Sequence, residues 1–299
     1  MATWFHILGW VLSIATVVGN GFVVGLLAHT PRLHSTSNWF VLSLAVADFG
    51  VGIIVYPFSF FCYRSMQCNL KVYVAFFWFF LHSSATNLCA LTWNRYFAIV
   101  HPFKYHMSMT ERRPGIVIMT AWLVSFASAL SLLVGLYATQ SPTVLKILRI
   151  ANISIFDIVS CALLLYSVIR ILIVARTQAQ QVSAGSELHG RPSTEVEPSR
   201  RGNQRNTALF IIALVVFFLG CYVIVSAVTL CLTFSSCQTS NTAGQAIVCL
   251  LTVNSAVNPL VYAFLKRDIK REAQRLFCRE HFNEDLTRQV LTVRTSTAF

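Results

Sequence analysis

The stretch Asn254-Ser255-Ala256-Val257-Asn258-Pro259-Leu260-Val261-Tyr262 decides how this chain folds. It sits inside an apolar run, 245–265, and about 20 predominantly apolar residues suffice to cross a bilayer as a helix. Pro259 lacks a backbone N–H and is expected to kink that helix. Working outward, six more runs of the same kind appear at 5–28, 38–62, 72–100, 114–137, 144–175 and 206–234. In chain order the seven are expected as helices one to seven. The third and fifth are long enough to project past the bilayer. Pro57 is the other proline inside a run and is expected to kink helix two; the remaining prolines fall in loops or at a helix start.

Composition agrees with seven crossings. Of 299 residues, 56% are hydrophobic and 11% charged, whereas a soluble domain carries about 25% charged residues. Most of this surface therefore never meets water. The first residues lack a basic segment and a cleavage site, so the opening apolar run reads as a membrane helix rather than a signal peptide. The net charge of +12 does not point to nucleic acid, because the basic residues lie in loops and at helix ends. Nineteen of the 23 Lys and Arg fall on one side of the alternating runs and four on the other. That asymmetry places the N-terminus outside and the C-terminus in the cytosol of a multi-pass plasma-membrane protein.

The expected architecture is all-α: a seven-transmembrane helix bundle over 1–265, with a short amphipathic eighth helix, 266–278, on the inner membrane face and a cytosolic tail, 279–299. The polar stretch 176–205 is expected to be a disordered third intracellular loop. In 266–278, Ile269, Ala273, Leu276 and Phe277 recur at helical spacing among basic residues, the pattern of a helix lying on anionic membrane lipid. Cys278 is a candidate for palmitoylation, with an unmodified thiol as the alternative. Cys62 with Cys68, and Cys231 with Cys237, flank short loops and form local disulfides if those loops face the oxidising side. Cys89, Cys161, Cys221 and Cys249 lie in apolar runs and read as packing.

Charges inside a bilayer cost about 2.5–3.5 kcal/mol each on insertion scales, which marks them as functional candidates. Two acids qualify, Asp48 and Asp157. No nucleophile–base or metal-ligand constellation appears, so an enzyme is not expected. Neither a repeat between the halves nor a ring of acids marks a transporter or pore.

Five local patterns, each in its own helix and in order, resemble the rhodopsin-like (class A) G protein-coupled receptors. They are Gly19-Asn20, Leu44-Ala45-Val46-Ala47-Asp48, Asn94-Arg95-Tyr96, Trp122, and Asn258-Pro259-x-x-Tyr262 with Asn254-Ser255 before it. The resemblance implies a receptor that passes an extracellular small-molecule signal to heterotrimeric G proteins. It implies a sodium pocket of Asp48, Ser84, Asn254 and Asn258, a hydrogen-bonded protonated Asp being the alternative. Arg95 corresponds to the cytoplasmic arginine whose release lets helix six swing out. Tyr166 and Tyr262 resemble the tyrosines that stabilise the open form. Pro102-Phe103 resembles the loop that presents an apolar knob to the G protein, a capping turn being the plainer reading. Thr292, Thr295, Ser296 and Thr297 are candidate phosphorylation sites for arrestin binding, and Thr297-Ala298-Phe299 resembles a C-terminal peptide that adds a strand to a partner sheet.

The departures from the family pattern carry equal weight. Asn94 stands where the family has Asp and makes no charge-assisted pair with Arg95. Gln204 stands where helix six carries an acid. Both changes are expected to loosen the inactive form and raise basal activity. Helix six reads Phe218-x-x-Cys221-Tyr222-x-Ile224, keeping the toggle aromatic as Tyr222 but losing the proline, and helix five lacks its proline near Ile158. Residues 138–150 contain no Cys for the usual extracellular bridge. That loss, with the missing helix-five proline, resembles melanocortin, cannabinoid and lysolipid receptors, whereas Asn-Ser-x-x-Asn-Pro is similar to adenosine receptors.

The family's ligand anchors are absent. Phe77 stands where an amine receptor carries Asp, and Thr252 where an opsin carries its retinal lysine, so no retinal is expected. Thr229 replaces the adenosine-receptor Asn, while Phe58 and Leu70 replace melanocortin-receptor acids. What remains is aromatic, including Phe58, Phe77 and Tyr222, which suits an apolar or lipid-like ligand or simply packing. Asp157 is either a cation contact or structural, and His82 reads as a packed core residue. The competing functional reading is a non-signalling seven-helix dimer partner or scaffold.

Overall fold

A computed structural model describes residues 3–64, 68–108, 112–139, 141–189, 212–213, 215–228, 230–231 and 241–276. The regular structure of the described residues is helical throughout. Helix one is Thr3–His29 and is followed by a 3-10 turn at Pro31–Leu33. Helix two runs Thr36–Ile53, passes through a π turn at Ile54–Phe58 and ends as Ser59–Arg64. Helix three is Leu70–Val100, capped by Asn69, whose Oδ1 accepts from the Lys71 and Val72 amides at 3.2 and 3.3 Å. A short helix, Pro102–Ser108, leads to helix four, Arg112–Ala138. Helix five comprises Pro142–Asn152, a π turn at Ile153–Ile158, and Val159–His189. Helix six is described as Val215–Val228, and helix seven is Asn241–Leu265. Helix eight covers 267–276.

Six of these are long and apolar enough to cross a membrane, and the sixth expected crossing, 206–234, is represented by the shorter apolar helix Val215–Val228. Helix one packs on helices two and seven, helix two on three, and helix three on four and five.

The packing is inverted relative to a soluble protein. Ile7, Val11, Ile14 and Val18 of helix one and Ile116, Met119, Leu123 and Phe126 of helix four are exposed. Ser13, Thr16, Asn20, Asp48, Ser83, Ser84 and Asn87 are buried. Exposed apolar rows cost little against lipid, and Asn20, Asp48 and Asn87 find partners across helices. Small residues permit close approach: a Cβ on Gly50 would overlap the Phe80 ring.

A proline inside a span frees a carbonyl that lipid cannot satisfy. Pro57 lies within the π turn of helix two; the Tyr73 hydroxyl of helix three donates to another carbonyl of that turn, that of Val55, at 3.1 Å. Pro259 leaves the Ser255 carbonyl without its helical donor, and Asn20 Nδ2 of helix one donates to that carbonyl at 3.1 Å. A Cβ on Gly19 would meet the Pro259 ring at 3.0 Å. The Gly19-Asn20 pair thus fits against the kink, the glycine by its lack of bulk and the amide by its donor.

The polar composition of 176–205 predicts a loop from its first residue, but helix five continues to His189. Ala, Gln, Glu, Leu and Arg in this part are good helix formers and extend a helix that is already nucleated. The rest of that loop, 190–205, lies outside the described residues, as do Gln204, Thr229, Cys237, Phe277, Cys278 and the tail.

Candidate functional site

Three polar clusters run through the bundle. The central one is built on Asp48, which is fully buried. Its carboxylate accepts from Ser84 Oγ of helix three at 2.6 Å and from Asn258 Nδ2 of helix seven. Asn254 and Ser255 are buried on the same helix seven, within one turn of Asn258. The Asp48 carboxylate, the Ser84 hydroxyl and the Asn258 amide, from three helices, therefore meet at one level. Hard oxygen donors of this kind fit a small hard cation. Asn20 Oδ1, beside the helix-seven kink, is buried with no hydrogen-bond partner among the described residues, which leaves one more oxygen uncommitted. Around this centre Trp122 Nε1 donates to Ser43 Oγ at 2.9 Å, and Ser43 donates to Asn87 Oδ1 at 2.6 Å, tying helices four, two and three.

The second cluster lies at the end of helix three that carries Arg95. Asn94, buried, accepts from the Tyr105 hydroxyl at 3.2 Å. Tyr105 belongs to the short helix Pro102–Ser108, so Asn94 holds that helix rather than an arginine. Arg95 Nε is buried without a hydrogen-bond partner among the described residues. Its electrostatic neighbours include Asp268 of helix eight. Asp268 in turn accepts from Asn38 Nδ2 at 3.0 Å, and the Lys266 ammonium donates to Asn38 Oδ1. Lys266 is 6% exposed. Burial lowers its pKa to about 7, with Asp268 opposing and Arg95 adding to that shift. Sequence reasoning does not single out Tyr105, Asn38, Lys266 or Asp268, because most of their partners lie far along the chain. Phe103 is 87% exposed on the same short helix as Tyr105, an apolar side chain left uncovered among the described residues.

The third cluster lies between helices five and six. Asp157, 3% exposed, accepts from Ser226 Oγ of helix six at 2.9 Å. It sits in the π turn Ile153–Ile158, a distortion present although this helix has no proline there. Tyr222 stacks on Phe218 with centroids 4.1 Å apart, and both are buried. Tyr222 lies within electrostatic reach of Asp157. His82 stacks on Phe156 at 3.9 Å and contacts Ser128 Oγ at 3.1 Å, a packed and bonded core histidine.

Other sequence candidates separate from these clusters. Tyr166 is 51% exposed and its ring lies 5.9 Å from that of Tyr96, whereas Tyr262 is fully buried. Phe58 is 44% exposed and stacks on Tyr73 at 5.9 Å, a contact between helices two and three. Phe77 packs between Tyr73 and Trp78, and buried Thr252 donates to the Val248 carbonyl at 2.9 Å. Cys62 and Cys68 are joined by a disulfide; Cys231 is also disulfide-bonded. Cys89, Cys161, Cys221 and Cys249 are free thiols.

Comparison with known proteins agrees with this geometry. The chain matches the 7 transmembrane receptor (rhodopsin family) model over residues 19–262. It is 27% identical to the octopamine receptor beta-2R of Drosophila melanogaster over 89% of this chain and 60% of that protein, so it spans less than two thirds of that relative. It is 30% identical to the trace amine-associated receptor 7f of Mus musculus over 84% of this chain and 76% of the relative. It is 28% identical to the 5-hydroxytryptamine receptor 6 of Mus musculus over 88% of this chain and 69% of the relative. With Asn258 of the helix-seven motif bonded to Asp48 of the helix-two motif and the family match running from Gly19 to Tyr262, the chain belongs to the rhodopsin family of seven-transmembrane receptors.

Proposed function

We propose that this protein sits in the plasma membrane with its N-terminus outside, and that a small ligand bound in the bundle promotes nucleotide exchange on a cytosolic heterotrimeric G protein. One observation supports this above the others: Asp48 holds helices two, three and seven at a single buried point. Helix three links that point to Arg95 at its end. A rearrangement of these helices must repack it, and packed cores switch between discrete arrangements. A ligand acts by its differential affinity for the two. The names of the relatives, for octopamine, trace amines and 5-hydroxytryptamine, favour an amine as that ligand.

Asp48, Ser84, Asn254 and Asn258 are the residues that would hold a sodium ion. The ion would supply a positive counter-charge in a place where a bare carboxylate is costly. Arg95 and the exposed Phe103 form the surface offered to the G protein. Arrestin is a second expected partner through the tail, and membrane lipid through helix eight; of the apolar residues the sequence assigns to its lipid face, Ile269 and Ala273 instead pack on the bundle, while Leu276 is exposed.

Asn94 bonds Tyr105 and offers Arg95 no counter-charge, so basal activity is raised. The test is nucleotide exchange in membranes carrying ligand-free receptor, beside an Asn94→Asp variant at equal surface amount. Exchange above receptor-free membranes, lowered several-fold by Asn94→Asp, is expected. Exchange no higher than in receptor-free membranes, with and without ligands, would instead favour the non-signalling partner reading.

A further inference from the structure

Resting on the receptor and amine reading above, we propose that Asp157 anchors the cationic nitrogen of a small aromatic amine, so that such a ligand is held from helix five and not from helix three.

Small aliphatic amines are cations at neutral pH, and a cation buried among helices needs an opposing charge. The helix-three place expected for that charge holds Phe77, packed between Tyr73 and Trp78. The membrane runs of this chain contain two acids. Asp48 is committed to helices three and seven by donors on both its oxygens. Asp157 remains.

Its surroundings suit the task. The residue is 3% exposed and its carboxylate receives one hydrogen bond among the described residues, from Ser226. An ionised carboxylate accepts about four hydrogen bonds, so most of its capacity is open. The π turn at Ile153–Ile158 adds a residue to one turn and re-aims the side chains that follow it; such turns recur at functional sites. Aromatic rings lie close by: Phe156 is the preceding residue and stacks on His82, and Tyr222 stacks on Phe218 one turn from Ser226. Ring faces attract cations and accept an aryl group. Ser226 belongs to helix six, so an ammonium that takes over the Asp157 carboxylate acts on the bond between helices five and six. Occupancy would then be felt directly by the helix whose movement opens the cytosolic end.

The test uses the full-length receptor in cell membranes with nucleotide exchange as the readout. The probes are 2-phenylethylamine and tryptamine, each beside the neutral alcohol in which hydroxyl replaces the amino group. Wild type is expected to respond to at least one amine and to neither alcohol at the same concentration. Asp157→Asn keeps the shape and removes the charge, and should raise the half-effective concentration roughly ten- to hundredfold. Asp157→Glu should recover part of that loss. An alcohol as potent as its amine overturns the proposal, as does Asp157→Asn responding at the wild-type concentration. Silence to both amines with basal exchange intact overturns the proposal alone; absence of basal exchange as well overturns the receptor reading with it. The amine-against-alcohol comparison is made on wild type and stands even where a variant fails to fold.

Discussion

Asp48 and Asp157 are both acids buried in the bundle, 0% and 3% exposed, yet they are held in different ways. Asp48 lies in regular helix and takes donors from two other helices, Ser84 of helix three and Asn258 of helix seven. Asp157 lies on a π turn and takes one, from Ser226 of helix six, among the described residues. Removing the first strands donors from two other helices, whereas removing the second strands one. The first belongs to the framework that holds the helices together; the second retains the capacity to bind something else.

The largest effect that separates them is on stability. Asp48→Ala leaves the Ser84 hydroxyl and the Asn258 amide unpaired, at about 1–3 kcal/mol each. Thermal unfolding of the solubilised receptor should show a loss of about 3 kcal/mol, against less than about 1 kcal/mol for Asp157→Ala. Equal losses would break the comparison.

Lys266 offers a third kind of buried charge, at the helix-eight end of the bundle, and a pH-dependent check. Its pKa is about 7 in the fold against an ordinary 10.5. Below pH 7 both folded and unfolded forms carry the proton, and the fold bears the whole cost of burying the ammonium. Between about pH 7 and 10 the unfolded form binds more protons, so stability rises with pH, by at most about 1.4 kcal/mol per pH unit. Melting curves across that range should rise for wild type relative to Lys266→Met; parallel curves would show that this ammonium is not buried at a cost.

Next in size is Asn20→Ala, which removes the donor to the Ser255 carbonyl. The freed carbonyl should cost about 1 kcal/mol in the same unfolding measurement. No change would mean that another donor reaches the Pro259 kink. The smallest effect is expected for Ser226→Ala, about 0.5 kcal/mol in unfolding, because the bond it removes is one donor to a carboxylate that is otherwise lightly engaged. A loss as large as that of Asp48→Ala would place Asp157 in the framework too.

Much of this is legible in the sequence. Asp48 and Asp157 stand out as acids in apolar runs, and Asn258-Pro259 stands out as a polar, kinking element in the last one. Ser226, Tyr105, Asn38 and Asp268 do not stand out. Serines and asparagines are common, and their significance lies in which distant group they meet. The π turn of helix five is equally hidden: no proline marks it, and only the backbone of the folded helix reveals it. The continuation of helix five to His189 escapes a reading of polar composition as loop, although the residues concerned favour helix.

The sequence by itself determined that the chain is a set of apolar helices, because lipid leaves a single apolar segment no other way to satisfy its backbone hydrogen bonds. It determined which family the chain resembles through motifs short enough to read within one helix. Only the tertiary structure decided which buried polar groups meet. It matched Asn20 to the carbonyl freed by Pro259, Asn94 to Tyr105, and Asp157 to Ser226. Such pairings depend on the rotation and depth of one helix against another. These are set by packing among residues as far as 235 positions apart, which no local pattern encodes.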